Sequence, residues 1–391
     1  MAIESLLLIM VVVWGTGVIF RRLNLPILLG ELLAGVIFGP ALLGVFHDSE
    51  TIQLLAELGI FFLMFHAGLE TSPKDLINAS KTSLGIALGG MVLPLTLGFV
   101  VSRAFGYGIP DSVFIGLGLS ITAIAVTTKL FRDFKFNQSK IAHEVMGAAI
   151  VDHILAFVIL SILLVVVEGG GTISGAELGI VIGKVALFFG GVIIAGNKLL
   201  PYFEKVFKET GHKAFTFTLV VALAFGVFAE WIGLHSILGA YLAGLFVKEE
   251  VVHPEVYRKI EDRFFALSYS FLGPIFFVSL GFHVDFAVFS DPSTLSFLVA
   301  IIIAAIIGKV VGSGGMRYYF KRDLNEAAVV GFSMNGRGAV ELVIAVIGLE
   351  MGLIDSRAFS VLVFMAFVTT LITPISLKLG LKAMGKKEFS K

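Results

Sequence analysis

The run MGAAIVDHILAFVILSILLVV (146–166) is almost entirely apolar over twenty-one residues, yet it carries an Asp–His pair, Asp152 and His153, near its middle. Its length matches the roughly 20 residues that a helix needs to cross a bilayer. An ionised side chain at that depth costs at least a few kcal/mol and is normally kept for a function such as an ion or proton pathway. The run therefore predicts a membrane-spanning helix with a functional carboxylate.

Composition extends this prediction to the whole chain. The 391 residues are 57% hydrophobic and only 15% charged, whereas a soluble domain has about 25% charged residues. There is no cysteine, which excludes a disulfide framework and a thiolate metal site. The first apolar segment lacks a basic start and a small-residue cleavage site, so we expect a retained helix rather than a signal peptide. The net charge is zero, and no basic face suggests a nucleic-acid partner.

The apolar runs predict an all-α polytopic membrane protein with about thirteen membrane-spanning helices. The predicted loops on one side hold 23 Lys and Arg residues and those on the other side hold two, Arg103 and Arg357. Since basic loops stay in the cytoplasm, we expect an outside N-terminus and a cytoplasmic C-terminus. The predicted spans are 3–20, 25–44, 51–69, 82–102, 112–130, 142–167, 178–200, 214–232, 236–247, 264–284, 295–315, 325–348 and 358–380.

Three segments recur in the same order. LGELLAG (29–35) returns as LGAYLAG (238–244), IFFLMFHAGLE (60–70) resembles IFFVSLGFHVD (275–285), and GLGLSITAIAV (116–126) lies opposite VVGFSMNGRGAV (329–340). Each segment lies seven spans before its partner. Because seven is an odd number, the two copies cross the membrane in opposite directions. Inverted repeats of this kind are typical of secondary transporters, whose substrate site lies at the repeat interface near the midplane.

A matched pair of spans shows signs of interrupted helices. GLSITAIAVTT (118–128) concentrates small and β-branched residues, and SMNGRGAVE (333–341) places two glycines around an arginine. Broken backbone at membrane depth is tolerated only where it is buried or lines a cavity. The alternative is that the small residues merely permit close helix packing. We expect two broken helices that cross at 119–125 and 333–339.

Two opposite charges lie near mid-membrane in their predicted spans. Asp152 is about ten residues into one span and Lys309 about fourteen residues into a span that runs the other way. An unpaired buried charge finds a partner or is neutralised, so we expect these side chains to pair, either as part of an ion site or as a structural link between helices. His153 lines the same cavity or faces a neighbouring helix. Arg337 and Glu341 are four residues apart, which suits a same-face pair that supports the break.

The ordered motifs GELLAGVIFGP, FHAGLE, SITAIAV, GAAIVDHIL and GRGAVEL, together with the thirteen spans, resemble the cation:proton antiporter superfamily, in particular its Kef/NapA-like branch. The resemblance covers essentially the whole chain. It implies a NapA/NhaA-like antiporter fold in a prokaryotic plasma membrane, and a homodimer in membrane lipid. It also implies a dimerisation domain (about 1–50 and 178–260) and a core domain (about 51–167 and 264–391) that moves like an elevator.

The resemblance also implies site residues. Asp152 matches the first acid of a two-acid site, Lys309 its lysine partner, and Thr122 a threonine at the first break. From the residues themselves, we expect Ser120 and His153 to belong to the same ion and proton site, and Asn335, Arg337 and Glu341 to support the second break. Asp152 would bind the monovalent cation, and no cofactor is expected.

The second acid position departs from the family pattern because His153 stands there. An alternative register would slide Asp152 onto that position, but the flanking GAAIV favours the unshifted match. Kef-type relatives often carry a cytoplasmic nucleotide-binding domain. Because this sequence stops at KAMGKKEFSK, we do not expect such a domain or regulation by that route.

We expect exchange of Na⁺ or Li⁺ for protons. The alternatives are K⁺/H⁺ exchange of the Kef type, and a channel or a sensor that has lost exchange because of His153. An intramembrane aspartyl protease is disfavoured because its two shared carboxylates are lacking, so we do not expect an enzyme.

Overall fold

The computed structural model describes residues 2–23, 25–70, 80–168, 179–180, 182–184, 187–188, 190–191, 212–247 and 254–385. The chain divides into two compact units. The first comprises Met1–Phe20, Gly30–Asp75 and Ser161–Phe282, and the second comprises Arg21–Leu29, Leu76–Leu160 and His283–Lys391. The predicted dimerisation and core domains stay a prediction; residues 51–75 and 264–282, expected in the core domain, belong to the first unit.

Helices make up the regular structure of the described residues. Eight helical segments are long and apolar enough to cross a membrane, and three shorter apolar helices accompany them. One of the eight, Tyr257–Phe282, consists of two helices joined by a π-helical turn. In chain order the helices are α1 (Ala2–Arg22), α2 (Ile27–Phe38), α3 (Glu50–Glu70), α4 (Lys81–Ala104), α5 (Ile109–Ser120), α6 (Ile124–Asp133), α7 (Lys140–Glu168), α8 (His212–Ile232), α9 (Ser236–Phe246), α10 (Pro254–Leu267), α11 (Gly273–Phe282), α12 (Pro292–Lys321), α13 (Leu324–Ser333), α14 (Ala339–Glu350) and α15 (Ser356–Ala383).

Most predicted spans coincide with these helices, and the all-α membrane architecture is confirmed. A π-helical turn (Ser268–Leu272) joins α10 to α11 within one predicted span. The predicted span 178–200 lies largely outside the described residues. One assignment is wrong. The predicted span 295–315 leaves Arg317 among the basic loop residues, but α12 continues to Lys321 and Arg317 is buried within it.

In the first unit, segments of one predicted repeat pack against segments of the other. A Cβ atom at Gly35 in α2 would lie 2.0 Å from the carbonyl oxygen of Val278 in α11, and one at Gly244 in α9 would lie 2.0 Å from that of Phe65 in α3. The glycine of each short motif, 29–35 and 238–244, therefore contacts the apolar segment of the other predicted repeat at a distance that only glycine allows.

In the second unit, α4 and α12 cross closely. A Cβ atom at Gly89 would lie 2.4 Å from the Gly312 carbonyl oxygen, and one at Gly308 would lie 2.6 Å from the Cα atom of Pro94. Small residues at these positions let two helix backbones approach each other within the membrane. The contacts lie on both sides of Lys309 and fix the backbone that carries it.

The two expected breaks occur where the sequence predicts them. The first lies between α5 and α6, where Ile121 and Ala123 have extended backbone, and the second lies between α13 and α14, at 334–338. Both predictions are confirmed.

Candidate functional site

The two breaks touch each other inside the second unit. The Ala123 amide donates a hydrogen bond to the Gly336 carbonyl at 2.8 Å, and the Thr122 hydroxyl donates to the Met334 carbonyl at 3.2 Å. A Cβ atom at Gly338 would lie 2.8 Å from the Cβ atom of Ala123, so the close approach requires glycine there. Non-helical backbone in a membrane needs partners for its polar groups, and each break supplies them to the other.

Side chains satisfy the remaining backbone groups of the breaks. The Arg337 Nη1 group donates to the Ile121 carbonyl, and the Thr370 hydroxyl both accepts from the Arg337 amide at 3.3 Å and donates to the Arg337 carbonyl at 3.1 Å. The Nε atom of Arg337 lies 3.7 Å from a carboxylate oxygen of Glu341. The expected support of the second break by Arg337 and Glu341 thus has a geometric basis: the arginine joins one break to the other.

Asp152 and Lys309 form a buried ion pair. Both side chains have no exposed surface, and the Lys309 ammonium donates to Asp152 Oδ2 at 3.0 Å. The other carboxylate oxygen, Oδ1, has no hydrogen-bond partner among the described residues. Asp152 therefore offers one oxygen that is held by an ammonium and one that is not.

His153 points at the first break rather than away from it. Its Nε2 atom lies 2.7 Å from the Thr122 carbonyl oxygen, and the ring is 2% exposed. A carbonyl oxygen only accepts, so Nε2 carries the hydrogen. The imidazole thereby engages a carbonyl of the unwound segment, one residue away from the Asp152 carboxylate along α7.

The other predicted site residues have different geometries. Ser120 is buried, but its hydroxyl donates to the Leu117 carbonyl of its own helix at 2.7 Å. Asn335 lies in the second break, 1% exposed, and its Oδ1 atom has no hydrogen-bond partner within the part of the chain that the structure describes. The structure thus brings His153 to the first break and pairs Asp152 with Lys309, while the Ser120 hydroxyl bonds within its own helix.

Two buried acid–base pairs lie in the second unit. Lys309 is 3.0 Å from Asp152, and Arg337 is 3.7 Å from Glu341. An unpaired buried charge is strongly destabilising, and pairing offsets much of the cost of desolvation.

A second buried ion cluster lies two helical turns away and was not predicted. Arg317 Nε is 2.9 Å from Glu144 Oε2, and its Nη2 atom is 2.5 Å from Glu326 Oε2. Glu144 precedes Asp152 by eight residues on α7, and Arg317 follows Lys309 by eight residues on α12. On two helices that run in opposite directions, these equal spacings bring Glu144 and Arg317 to the same level. The spacing can be read from the sequence and could have predicted the cluster.

Comparisons with known proteins agree with this architecture. A family model described as "Sodium/hydrogen exchanger, transmembrane" matches residues 6–383. The Na(+)/H(+)-K(+) antiporter GerN of Bacillus cereus is 32% identical over 367 residues, which cover 93% of this chain and 92% of GerN. A Na(+)/H(+) antiporter of Enterococcus hirae is 31% identical over 364 residues, which cover 92% of this chain and 93% of that protein.

A solved structure shares the fold. The sodium proton antiporter MjNhaP1 of Methanocaldococcus jannaschii superposes with a TM-score of 0.76 at 19% identity, covering 98% of this chain and 99% of MjNhaP1. The family model spans nearly the whole chain, and both relatives named above exceed 30% identity over more than nine-tenths of it. The chain belongs to the sodium/hydrogen exchanger family of membrane transporters.

Proposed function

We propose that this protein exchanges Na⁺ or Li⁺ for protons, and that Asp152 is the site at which the two ions alternate. The observation that carries the proposal is the asymmetry of its buried carboxylate: Lys309 holds Oδ2, and Oδ1 has no hydrogen-bond partner in the described ranges. Hard cations favour oxygen ligands. An ionised Asp152 attracts such a cation, whereas a protonated Asp152 does not, so one carboxylate can carry either load.

Lys309 controls the binding of a cation to Asp152. Its ammonium occupies one side of the carboxylate at 3.0 Å, the place that an incoming cation needs. Cation and ammonium therefore compete for one anion. With neither cation nor proton bound, the ion pair keeps the site close to neutral, which lowers the cost of holding the charge inside the membrane.

The names of the relatives guide the choice of cation. GerN is named a Na(+)/H(+)-K(+) antiporter and the Enterococcus hirae relative a Na(+)/H(+) antiporter. Sodium is common to both names, which supports Na⁺ as the first choice. K⁺ is the second candidate because the name of GerN includes it, and a Kef-type assignment within the family stays a prediction.

His153 bears on whether exchange is retained. Its Nε2–H engages the Thr122 carbonyl, which supports a role in holding the first break, and this role leaves Asp152 available for exchange. This favours an active exchanger over a channel or an exchange-deficient sensor. We further propose that the unit carrying Asp152 moves across the membrane in an elevator-type cycle, and that two copies associate in membrane lipid.

Reconstituted liposomes test the exchange. Purified protein is placed in vesicles that contain a pH-sensitive dye, and Na⁺, Li⁺, K⁺ and choline are added in turn. We expect proton movement with Na⁺ and Li⁺ and none with choline. A response to K⁺ alone would select the second candidate, and equal silence with all the alkali cations would refute exchange.

Labelling tests the movement. The chain has no cysteine, so a single cysteine can be introduced without removing others. In an A123C variant the cysteine lies at the first break. If this position opens alternately to the two sides of the membrane, its thiol should react with a membrane-impermeant thiol reagent from either side of oriented vesicles. Reaction from one side only, under all ion conditions, would contradict the elevator cycle.

A further inference from the structure

Ser313 is a buried hydroxyl next to the ion pair that the proposed exchange leaves without a role. It lies one helical turn after Lys309 on α12, and its side chain has no exposed surface. Its Oγ atom has no hydrogen-bond partner among the residues that the structure describes. Leaving a buried polar group unsatisfied costs about 1–3 kcal/mol, so such a group in a transport site calls for an explanation.

The orientation of the Ser313 hydroxyl differs from that of most other helical hydroxyls nearby. Ser333 donates to the Val329 carbonyl at 2.6 Å, and Thr373 donates to the Thr369 carbonyl at 2.8 Å. Hydroxyls within helices commonly make this bond to their own backbone. Ser313 does not, which leaves its oxygen available to a donor from another side chain.

Gly90 on α4 locates that donor. The position of a Cβ atom at Gly90 would lie 2.1 Å from Ser313 Oγ and 3.7 Å from Lys309 Nζ. The Ser313 hydroxyl therefore occupies the space that a side chain at residue 90 would take, and the Lys309 ammonium borders the same space. Since the close contacts of Gly308 and Gly312 with α4 fix the α12 backbone, the flexible lysine side chain is the part that can move.

We propose that Ser313 is the acceptor that holds the Lys309 ammonium after a cation has displaced it from Asp152. The inference rests on the proposed exchange at Asp152. A displaced ammonium needs an acceptor, because a buried charge without a hydrogen bond is costly. Rotation of the lysine side chain lets the ammonium donate to Ser313 Oγ, while the cation takes its place at the carboxylate. Ser313 is thus a positioning residue: by stabilising the displaced ammonium, it increases the affinity of Asp152 for the cation.

Binding of the cation to purified protein tests this role apart from transport. The shift in melting temperature on titration with NaCl or LiCl gives an apparent dissociation constant, with choline chloride as the control for ionic strength. We expect S313A to raise this constant about tenfold, which corresponds to about 1.4 kcal/mol. Ser102 on α4 is the matched control, because it is equally buried, it also has no hydrogen-bond partner in the described ranges, and it lies about 18 Å along the helix from Gly90. S102A should leave the constant within about twofold.

A double substitution separates an action through Lys309 from a general packing effect. K309M removes the ammonium, so adding S313A to K309M should change the cation constant no further. A second variant, G90A, keeps the serine but puts a methyl group where its hydroxyl now lies. The hydroxyl must move away, so G90A should also weaken cation binding.

The outcomes are distinguishable. Unchanged cation binding in S313A or in G90A would overturn the inference, as would an equal effect of S313A with and without Lys309. If the unaltered protein shows no cation-dependent shift, the proposed function fails and the inference fails with it. A normal shift in the unaltered protein that S313A leaves unchanged overturns the inference alone.

Discussion

The Lys309 ammonium and the Asp152 carboxylate face each other at 3.0 Å with no exposed surface on either side chain. They come from α12 and α7, 157 residues apart in the chain. Removing one member of a buried pair strands the other, which costs about 3–5 kcal/mol. The pair therefore links the stability of the protein to the same two groups that the proposed exchange uses.

Replacing the lysine tests this link. K309Q removes the competitor for the carboxylate and strands Asp152, so we expect some exchange to remain, a lower melting temperature and a changed pH profile. The loss of stability should be on the order of 3–5 kcal/mol before protonation of Asp152 relieves it. Thermal unfolding in detergent and exchange in liposomes between pH 6 and 9 measure the effects. An unchanged pH profile together with an unchanged melting temperature would show that the pairing does not matter.

His153 offers a way to separate holding the break from carrying a proton. H153Q keeps an N–H donor near the position of Nε2, whereas H153A leaves the Thr122 carbonyl without it. If His153 holds the break, H153A should lose about 1–3 kcal/mol of stability, and H153Q should keep most of its stability and exchange. If H153Q loses exchange as completely as H153A, the imidazole itself takes part in proton transfer.

Arg337 joins the two breaks and pairs with Glu341, so its removal should be among the more damaging changes. We expect R337A to lose about 3–5 kcal/mol, since a buried carboxylate is stranded. The double variant R337A/E341A should lose less than the sum of the single losses, because contacting residues are not additive. Melting temperatures of the four proteins measure the coupling. Arg103, which is exposed, provides the control: R103A should change stability by less than about 0.5 kcal/mol.

The Arg317 cluster gives a prediction based on burial alone. The Glu144 side chain is 7% exposed and that of Glu326 is 30% exposed. Ion pairs near solvent are worth little, whereas breaking a buried pair is costly. E144Q should therefore lower the melting temperature more than E326Q does. Equal effects of the two variants would mean that burial does not set the strength of this cluster.

Much of the fold could be predicted because membrane spans depend on the length of apolar runs. The predicted span 51–69 is observed as Glu50–Glu70, and 142–167 as Lys140–Glu168. The breaks could also be predicted, because glycines and an arginine within an apolar run disfavour a continuous membrane-spanning helix. Their backbone partners, such as Gly336 for Ala123, follow once the breaks meet.

What could not be predicted depends on contacts between distant segments. Arg317 takes its partners from two other helices, and a count of basic residues assigns it to a loop because that count contains no information on helix length. The bond from His153 to the Thr122 carbonyl requires that residue 122 be unwound and that the imidazole turn toward it. The Ser313 hydroxyl becomes notable only when Gly90 is seen beside it. Such contacts depend on side-chain rotation, which hydropathy and spacing do not determine.

The central claim is that the Asp152 carboxylate carries the exchanged ions. D152N keeps the size of the side chain and removes its charge, so it tests this claim most directly. The variant is first shown to be folded, by a cooperative melting transition and a single peak in size-exclusion chromatography. It is then reconstituted beside the unaltered protein in vesicles loaded with a pH-sensitive dye, with empty vesicles as the background.

We expect addition of Na⁺ or Li⁺ to move protons in vesicles with the unaltered protein and to produce only the background signal with folded D152N. That result would place the exchanged ions at Asp152. Cation-dependent proton movement by D152N at a rate near that of the unaltered protein would contradict the account and place the ion site elsewhere in the membrane.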